Sequence, residues 1–170
     1  MRKRKASPSG PDCSAAAGVE SAARTMKIYF AGPLFTPYER GYIDECAAQL
    51  RADGFEVFVP HEHELAQADT SAEWIFAKDM DGLRPANAVL ALLDGPMIDD
   101  GTACEIGIFY ALQQSDPEKK GVVGLLTDLR GSRGESSGLN LFVEGCIEAT
   151  GGEVVSSFDD ALDVLRRFRG

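Results

Sequence analysis

Residues 98–107, with the sequence IDDGTACEIG, place three carboxylates around the predicted start of a helix. Asp99 or Asp100 suits the capping position beside Gly101, and Glu105 then lies in the second turn, directed back towards the loop. An acid on an otherwise apolar helix face is a candidate for acid, base or nucleophilic chemistry. A helix cap followed by a solvated or capping-box glutamate explains this segment equally well. Apolar side chains continue the helical spacing at Ile106, Phe109, Ala111 and Leu112.

The composition is that of an ordinary globular protein, with 170 residues, of which 44% are hydrophobic and 26% charged. That length supports one domain with a sizeable core. Residues 1–25 hold five basic and two acidic residues, which leaves 12 basic and 25 acidic residues on 26–170. The excess of acidic residues in 26–170 argues against nucleic-acid binding. No apolar run approaches the roughly 20 residues of a membrane helix, and the N-terminus lacks a signal-peptide centre, so we predict a cytoplasmic protein without membrane contact.

The cysteines and histidines are too scattered to predict a metal site. We therefore expect no metal, and we expect the three cysteines after residue 26 to be buried because they fall in apolar helical patterns. Cys104 is disfavoured as a nucleophile, since no histidine lies near it in sequence. The segment His61-Glu62-His63 is interpreted as a solvated loop after a strand rather than as a metal-binding pair. The residues concerned are Cys13, Cys46, Cys104, Cys146, His61 and His63.

The strands and helices that must position Asp99, Asp100 and Glu105 follow a βαβ pattern. Residues 1–25, rich in Ser, Ala, Gly and Pro, are predicted to form a flexible tail, and residues 26–170 a single domain. Strands are predicted at 27–31, 56–60, 88–93, 122–126 and 153–156, and helices at about 38–53, 71–83, 102–114, 139–148 and 158–168. This pattern predicts an α/β fold, a doubly wound, flavodoxin-like or Rossmann-like five-stranded parallel sheet with helices on both faces. In such a sheet ligands bind beyond the carboxyl ends of the strands.

The loop after the first strand combines small residues with an apolar pair. Ala31 and Gly32 are followed by Leu34 and Phe35, which we expect to be exposed. Neither Gly-x-Gly-x-x-Gly nor the Walker pattern occurs in the chain, so we predict no phosphate cradle and no organic cofactor. Small residues followed by an apolar pair suit a flat aromatic ligand, although a lid packed on the core is an equally good interpretation.

Four segments in register resemble one known family. They are residues 28–35 (IYFAGPLF), 78–82 (KDMDG), 99–107 (DDGTACEIG) and 140–142 (NLF). In this order and spacing the chain resembles the nucleoside 2-deoxyribosyltransferases, a family that also contains nucleoside 5'-monophosphate N-glycosidases. The resemblance covers essentially all of residues 26–165. It implies a retaining transfer in which a glutamate attacks the anomeric carbon of a 2'-deoxynucleoside, the base departs, and a second base takes its place.

The resemblance implies a role for each matching residue. Glu105 resembles the nucleophile, Tyr29 the tyrosine that orients it, and Asp79 an aspartate that meets the sugar and base. Asp99 resembles the acid that contacts the base and assists proton transfer, which leaves Asp100 as the predicted cap. A carboxyl crowded by other carboxylates has a raised pKa, so one of the acids near Glu105 is expected to protonate the base. The helix N-terminus is expected to favour ionised Glu105 by about 0.3–1 kcal/mol.

The implied partners are a nucleoside, a free nucleobase and further copies of this chain. Asn140 resembles a residue that a neighbouring subunit contributes to hold the sugar 5'-hydroxyl, which implies a homo-oligomer with shared active sites. Base stacking is expected to rest mainly on Phe35. The expected substrate contacts are Ala31, Gly32, Leu34, Phe35, Gly101, Asn140 and Phe142.

Two other functions stay open at this point. The first is hydrolysis of a nucleoside 5'-monophosphate, in which water replaces the acceptor base. An aspartate at position 99 would repel a phosphate and so favours an uncharged nucleoside, whereas Ser136 and Ser137 keep the hydrolase in consideration. The second is a binding module without catalysis, which the fold alone does not exclude because doubly wound sheets host many functions.

Overall fold

The structure is a computed structural model that describes residues 25–63, 71–128 and 138–170. The predicted tail up to residue 24, Cys13, Ser136 and Ser137 lie outside the described residues. No helix in the described part of the chain has the length and apolar character needed to cross a bilayer. The elements in chain order are β1 (Lys27–Ala31), α1 (Pro37–Ala52), β2 (Glu56–Phe58), a 3-10 helix (Pro60–His63), α2 (Ala72–Leu83), β3 (Ala88–Leu92), α3 (Asp100–Gln113), β4 (Gly121–Leu125), α4 (Leu141–Ala149), β5 (Glu153–Val155) and α5 (Phe158–Arg169).

The five strands form one sheet in the order β2-β1-β3-β4-β5. Every neighbouring pair is parallel, which confirms the predicted doubly wound α/β fold. Because β2 lies on one side of β1 and β3 on the other, the order of strands reverses between β1 and β3. The crevice at their carboxyl ends is the position where doubly wound sheets bind ligands.

Side chains that alternate along the strands build a separate core on each face of the sheet. On one face α1 and α5 pack against residues such as Phe30 and Leu90. On the other face α2, α3 and α4 pack against residues such as Tyr29 and Val89. The strands β3 and β4 are buried along their whole length, as central parallel strands are. Tyr29 therefore points to the face of the sheet that carries α3.

The strand β2 is shorter than predicted and ends at Phe58 rather than at Pro60. Proline has no backbone N–H to extend the ladder, and Pro60 instead begins the 3-10 helix that ends at His63. The side chain of His61 is mostly buried, and its Nε2 lies 2.7 Å from Oδ1 of Asp44. The prediction of a solvated loop is therefore wrong for His61.

Candidate active site

Tyr29 and Glu105 meet at the centre of the candidate site. Tyr29 lies in the middle of β1 and is fully buried, and Glu105 lies in the second turn of α3. The Tyr29 hydroxyl donates a hydrogen bond to Oε1 of Glu105. The fold thus brings together two side chains that are 76 positions apart in the sequence.

Burial raises the pKa of the Glu105 carboxyl to about 7. The hydrogen bond from Tyr29 lowers this pKa, the charges of Asp79 and Asp99 raise it, and the charge of Lys78 lowers it. The expectation that the helix N-terminus would favour the ionised form is outweighed by burial. Burial and the nearby Glu105 charge also raise the pKa of Tyr29, so its hydroxyl keeps its proton and acts as the donor.

Asp99, and not Asp100, caps α3. Its Oδ2 accepts hydrogen bonds from the Thr102 backbone N–H at 2.9 Å and from the Thr102 hydroxyl at 3.1 Å. The prediction of Asp100 as the cap is wrong because Asp100 is already the first residue of the helix. Gly101 leaves room for the capping carboxylate, since a Cβ there would lie 3.0 Å from Oδ2 of Asp99. Both bonds use Oδ2, so capping and a contact from Oδ1 to a base are compatible.

Asp79 contributes a third carboxylate on α2, with Lys78 as the neighbouring cation. Oδ1 of Asp79 is buried without a hydrogen-bond partner among the described residues, although Nζ of Lys78 lies 3.2 Å from it. That ammonium group also donates to the carbonyl oxygen of Pro60 at 3.0 Å. The ion pair with Lys78 leaves the Asp79 carboxylate with further acceptor capacity, so Oδ1 is a candidate substrate contact. Sequence reasoning gave Lys78 no role, although it stands directly before Asp79.

The loop after β1 only partly has the predicted exposure. Phe35 is 80% exposed and free to stack on a ligand. Leu34 is half-buried and packs against the core formed with α1 and α5, so the prediction of an exposed pair is wrong for Leu34. The Ala31 side chain is buried in the core, which leaves its backbone for any substrate contact. Gly32 lies close to β3, where an added Cβ would be 3.0 Å from Cβ of Leu92.

Asn140 and Phe142 lie on the surface at the start of α4. The Asn140 side chain caps this helix by accepting a hydrogen bond from the Phe142 backbone N–H at 2.9 Å. Phe142 is 86% exposed. The capping bond uses Oδ1 of Asn140, so its amide nitrogen is the group that could reach a neighbouring subunit.

The three described cysteines differ in burial. Cys46 is buried as predicted, Cys146 is half-buried, and Cys104 is exposed. The prediction of a buried thiol is wrong for Cys104 because it lies on the outer face of α3, where no element of the described chain covers it.

Asp94 is a site-edge residue that the sequence analysis missed. It follows β3 at the carboxyl edge of the sheet. Its Oδ1 accepts from the backbone N–H groups of Thr127 at 2.6 Å and Asp128 at 2.9 Å, so it ties together the loops that leave β3 and β4. Its place directly after the buried run 88–93 was the signal that could have found it.

The family model described as Nucleoside 2-deoxyribosyltransferase matches residues 28–151, which include every residue predicted for the site. The chain belongs to this family. The nucleoside 2-deoxyribosyltransferase family is one of pentosyl-transferring enzymes that act on nucleosides and nucleobases, and this member carries the Tyr29–Glu105 pair in the matched stretch.

Individual relatives of this deoxyribosyltransferase family member are similar to it in structure or in sequence. The crystal structure of a conserved protein from Enterococcus faecalis V583 has a TM-score of 0.70 and 31% identity, covering 84% of this chain and 98% of that one. The structure of a 2-deoxyribosyltransferase from Bacillus psychrosaccharolyticus has a TM-score of 0.62 and 26% identity, covering 81% and 90%. A protein of Ureaplasma parvum serovar 3, itself named uncharacterized, is 29% identical over 151 residues, which are 84% of this chain and 95% of that protein.

Proposed function

We propose that this protein is a nucleoside 2-deoxyribosyltransferase that exchanges the base of a 2'-deoxynucleoside for a second free base. The observation that carries the proposal is the partly buried Tyr29–Glu105 hydrogen bond beside the crevice where the strand order reverses. A glutamate with a pKa of about 7 is partly desolvated and is still ionised in a large fraction of molecules at neutral pH. The Bacillus psychrosaccharolyticus neighbour, named a 2-deoxyribosyltransferase, supports the same activity.

The reaction takes two displacements at the anomeric carbon. In the first, a carboxylate oxygen of Glu105 bonds to C1' while the C1'–N bond breaks, and the departing base nitrogen takes a proton from the carboxylic acid form of Asp99, which becomes a carboxylate. In the second, a nitrogen of the incoming base bonds to C1', the bond to Glu105 breaks, and the proton of that nitrogen returns to Asp99. Two inversions give overall retention of configuration. The carboxylates also stabilise the positive charge that develops on the sugar.

The substrate contacts proposed around this centre are polar on the sugar side and aromatic on the base side. Oδ1 of Asp79, which has no hydrogen-bond partner among the described residues besides its ion pair with Lys78, accepts a hydrogen bond from a substrate hydroxyl. The exposed ring of Phe35 stacks on the base. The proposed 5'-hydroxyl contact comes from Asn140 of a neighbouring copy.

The charge of the site favours an uncharged nucleoside over a nucleoside monophosphate. Asp79 and Asp99 both act on Glu105 electrostatically, and Lys78 is the cation that acts on it in the opposite sense. A phosphate dianion in such surroundings meets net repulsion. Base exchange is therefore the proposed reaction, and hydrolysis of a monophosphate is an outcome that the experiment must be able to detect.

The test is to incubate the protein with a 2'-deoxynucleoside and a different free base, and separately with a deoxynucleoside monophosphate in water. Chromatography is expected to show a new nucleoside in the first reaction. Free base in the second reaction alone would indicate a hydrolase, and no product in either would leave a binding module. Glu105→Ala is expected to abolish exchange. The matched control is Asp100→Ala, which removes an exposed acid of the same helix and is expected to retain exchange.

We also propose that the protein is a homo-oligomer that uses the face of the molecule covered by α2, α3 and α4. Apart from Asp100, the exposed positions of α3 carry no charge, on a chain whose net charge is −10. A helix without a polar outer face is typical of one that another surface covers. A second copy of so acidic a chain would approach best at the uncharged outer side of α3. The exposed apolar residues of the face are Ile75, Phe76, Tyr110, Leu141 and Phe142.

A further inference from the structure

Three aromatic rings lie in one stack beside the candidate nucleophile. The rings of Tyr29 and Phe58 are 5.5 Å apart between centroids and 13° from parallel. The rings of Phe58 and His63 are 4.2 Å apart and 6° from parallel. The stack runs from the buried tyrosine on β1, through the end of β2, to the exposed histidine at the end of the 3-10 helix. The stack connects His63, which has no role in the proposed reaction, to Tyr29, which donates a hydrogen bond to Glu105.

Phe58 is held from two further directions. The parallel register of β1 and β2 places it directly beside Tyr29, so the two side chains share one face of the sheet. Gly82 of α2 lies against its ring, where an added Cβ would be only 2.4 Å from the nearest ring carbon. Any larger residue at position 82 must therefore displace the Phe58 ring. The ring has little freedom to move away from Tyr29.

We propose that Phe58 is a positioning residue that holds the Tyr29 hydroxyl on the Glu105 carboxylate, with Gly82 and His63 holding Phe58 in place. The inference rests on the proposed function, in which Glu105 is the nucleophile. A stacked ring resists tilting of its neighbour, because tilting loses both contact area and the preferred ring geometry. A small displacement of an orienting hydroxyl strongly affects a reaction that depends on alignment.

The charged and titratable groups that act on Glu105 come from three elements. Tyr29 reaches it from β1, Asp79 and Lys78 from α2, and Asp99 from the start of α3. Phe58 carries no charge, so its replacement changes the titration of Glu105 only indirectly. Loss of the Tyr29 hydrogen bond would raise the pKa of Glu105, whereas entry of water into a loosened core would lower it. The direction of the change therefore separates positioning from simple packing.

The experiment is a carboxyl-carbon NMR titration of Glu105 in protein labelled with carbon-13 glutamate, with Glu105→Gln used to assign the signal. The parent protein is expected to titrate near pH 7. Phe58→Leu, which keeps an apolar side chain, is expected to move the midpoint upward by about half a pH unit or more. The control is Val57→Ala, which alters the neighbouring position of β2 on the opposite face of the sheet and is expected to leave the midpoint in place.

Two further variants complete the test. Gly82→Ala is expected to move the midpoint upward as Phe58→Leu does, because it displaces the same ring. In a Tyr29→Phe background, Phe58→Leu is expected to add no further upward shift, since the hydrogen bond is already absent. An unchanged or lowered midpoint in Phe58→Leu would overturn the proposal, as would an upward shift that persists in the Tyr29→Phe background.

The titration needs no substrate, so it can fail separately from the proposed function. If Phe58→Leu shifts the midpoint but the protein exchanges no bases, the transferase proposal fails and the positioning of Tyr29 stands. If base exchange occurs but the midpoint stays in place, the positioning proposal fails alone. If both the transferase proposal and the positioning proposal hold, Phe58→Leu is expected to lower kcat by more than it changes KM.

Discussion

At the scale of single residues, the protonation of Glu105 is decided by burial against the Tyr29 hydrogen bond. Burial raises the carboxyl pKa to about 7, and the hydrogen bond keeps it from rising further. Below pH 7 the kcat/KM for base exchange is therefore expected to fall by about tenfold per pH unit, as the nucleophile becomes protonated. Tyr29→Phe should move the midpoint of this fall in kcat/KM upward by about one pH unit and leave the fold intact. If kcat/KM falls at the same pH in the parent and in Tyr29→Phe, the role of Tyr29 is contradicted.

Glu105 also links stability to pH. Its pKa is about 7 in the folded protein against a usual 4.5, so the folded state holds the proton more tightly. The free energy of unfolding is therefore expected to fall as pH rises from about 4.5 to about 7, and to level off above that. Glu105→Gln cannot ionise and should be more stable than the parent by about 1–3 kcal/mol at pH 8. Urea denaturation should show that this difference disappears at pH 4, and a constant difference would contradict the raised pKa.

At the scale of elements, the cap of α3 and the proposed acid are the same side chain. Asp99→Asn keeps an oxygen that can accept from Thr102, so its unfolding free energy should stay near that of the parent while base exchange falls sharply. Asp99→Ala loses both functions and should also lose about 1 kcal/mol of stability. Denaturation and exchange assays on the pair separate the two roles. Full exchange by Asp99→Asn would show that Asp99 only caps the helix.

A buried lysine joins the end of α2 to the start of β4. Nζ of Lys119 donates to the carbonyl oxygens of Arg84 at 2.7 Å and Ala86 at 2.9 Å. Lys119→Met leaves both carbonyls without this donor and should lower the free energy of unfolding by about 1–3 kcal/mol in urea denaturation. The matched control is Lys120→Met, because the Lys120 side chain is exposed and, within the described part of the chain, its Nζ donates only to the carbonyl oxygen of Pro117, at 3.4 Å. Equal losses in the two variants would contradict this role of Lys119.

At the scale of the whole molecule, the proposed oligomer would complete each site with a second copy. Glu105→Ala and Asn140→Ala are each expected to be inactive alone. Mixed and reassembled, they should regain part of the exchange activity, because a site formed between them combines an intact Glu105 with an intact Asn140. Phe142→Glu should reduce the oligomer to smaller species in size-exclusion chromatography by placing a charge among the exposed apolar residues of the face formed by α2, α3 and α4. Absence of complementation in a confirmed mixed oligomer would contradict shared sites.

The sequence by itself was sufficient for the order and type of the strands and α-helices. Strands such as 88–92 are short apolar runs, and helices such as 158–169 show strong helical periodicity, so each pattern is local to its element. The pairing of Glu105 with Tyr29 also followed from the sequence, through the resemblance of several segments in register. The strands and α-helices depend on which residues are neighbours along the chain, and a sequence records that directly.

Only the tertiary structure decided how each group is surrounded. The choice of Asp99 as the cap depended on where the backbone enters α3, and the exposure of Cys104 depended on which face of that helix is covered. The raised pKa of Glu105 and the stack of Phe58 on Tyr29 arise between segments far apart in sequence. Burial and electrostatic coupling are set by packing in three dimensions, which local periodicity does not encode.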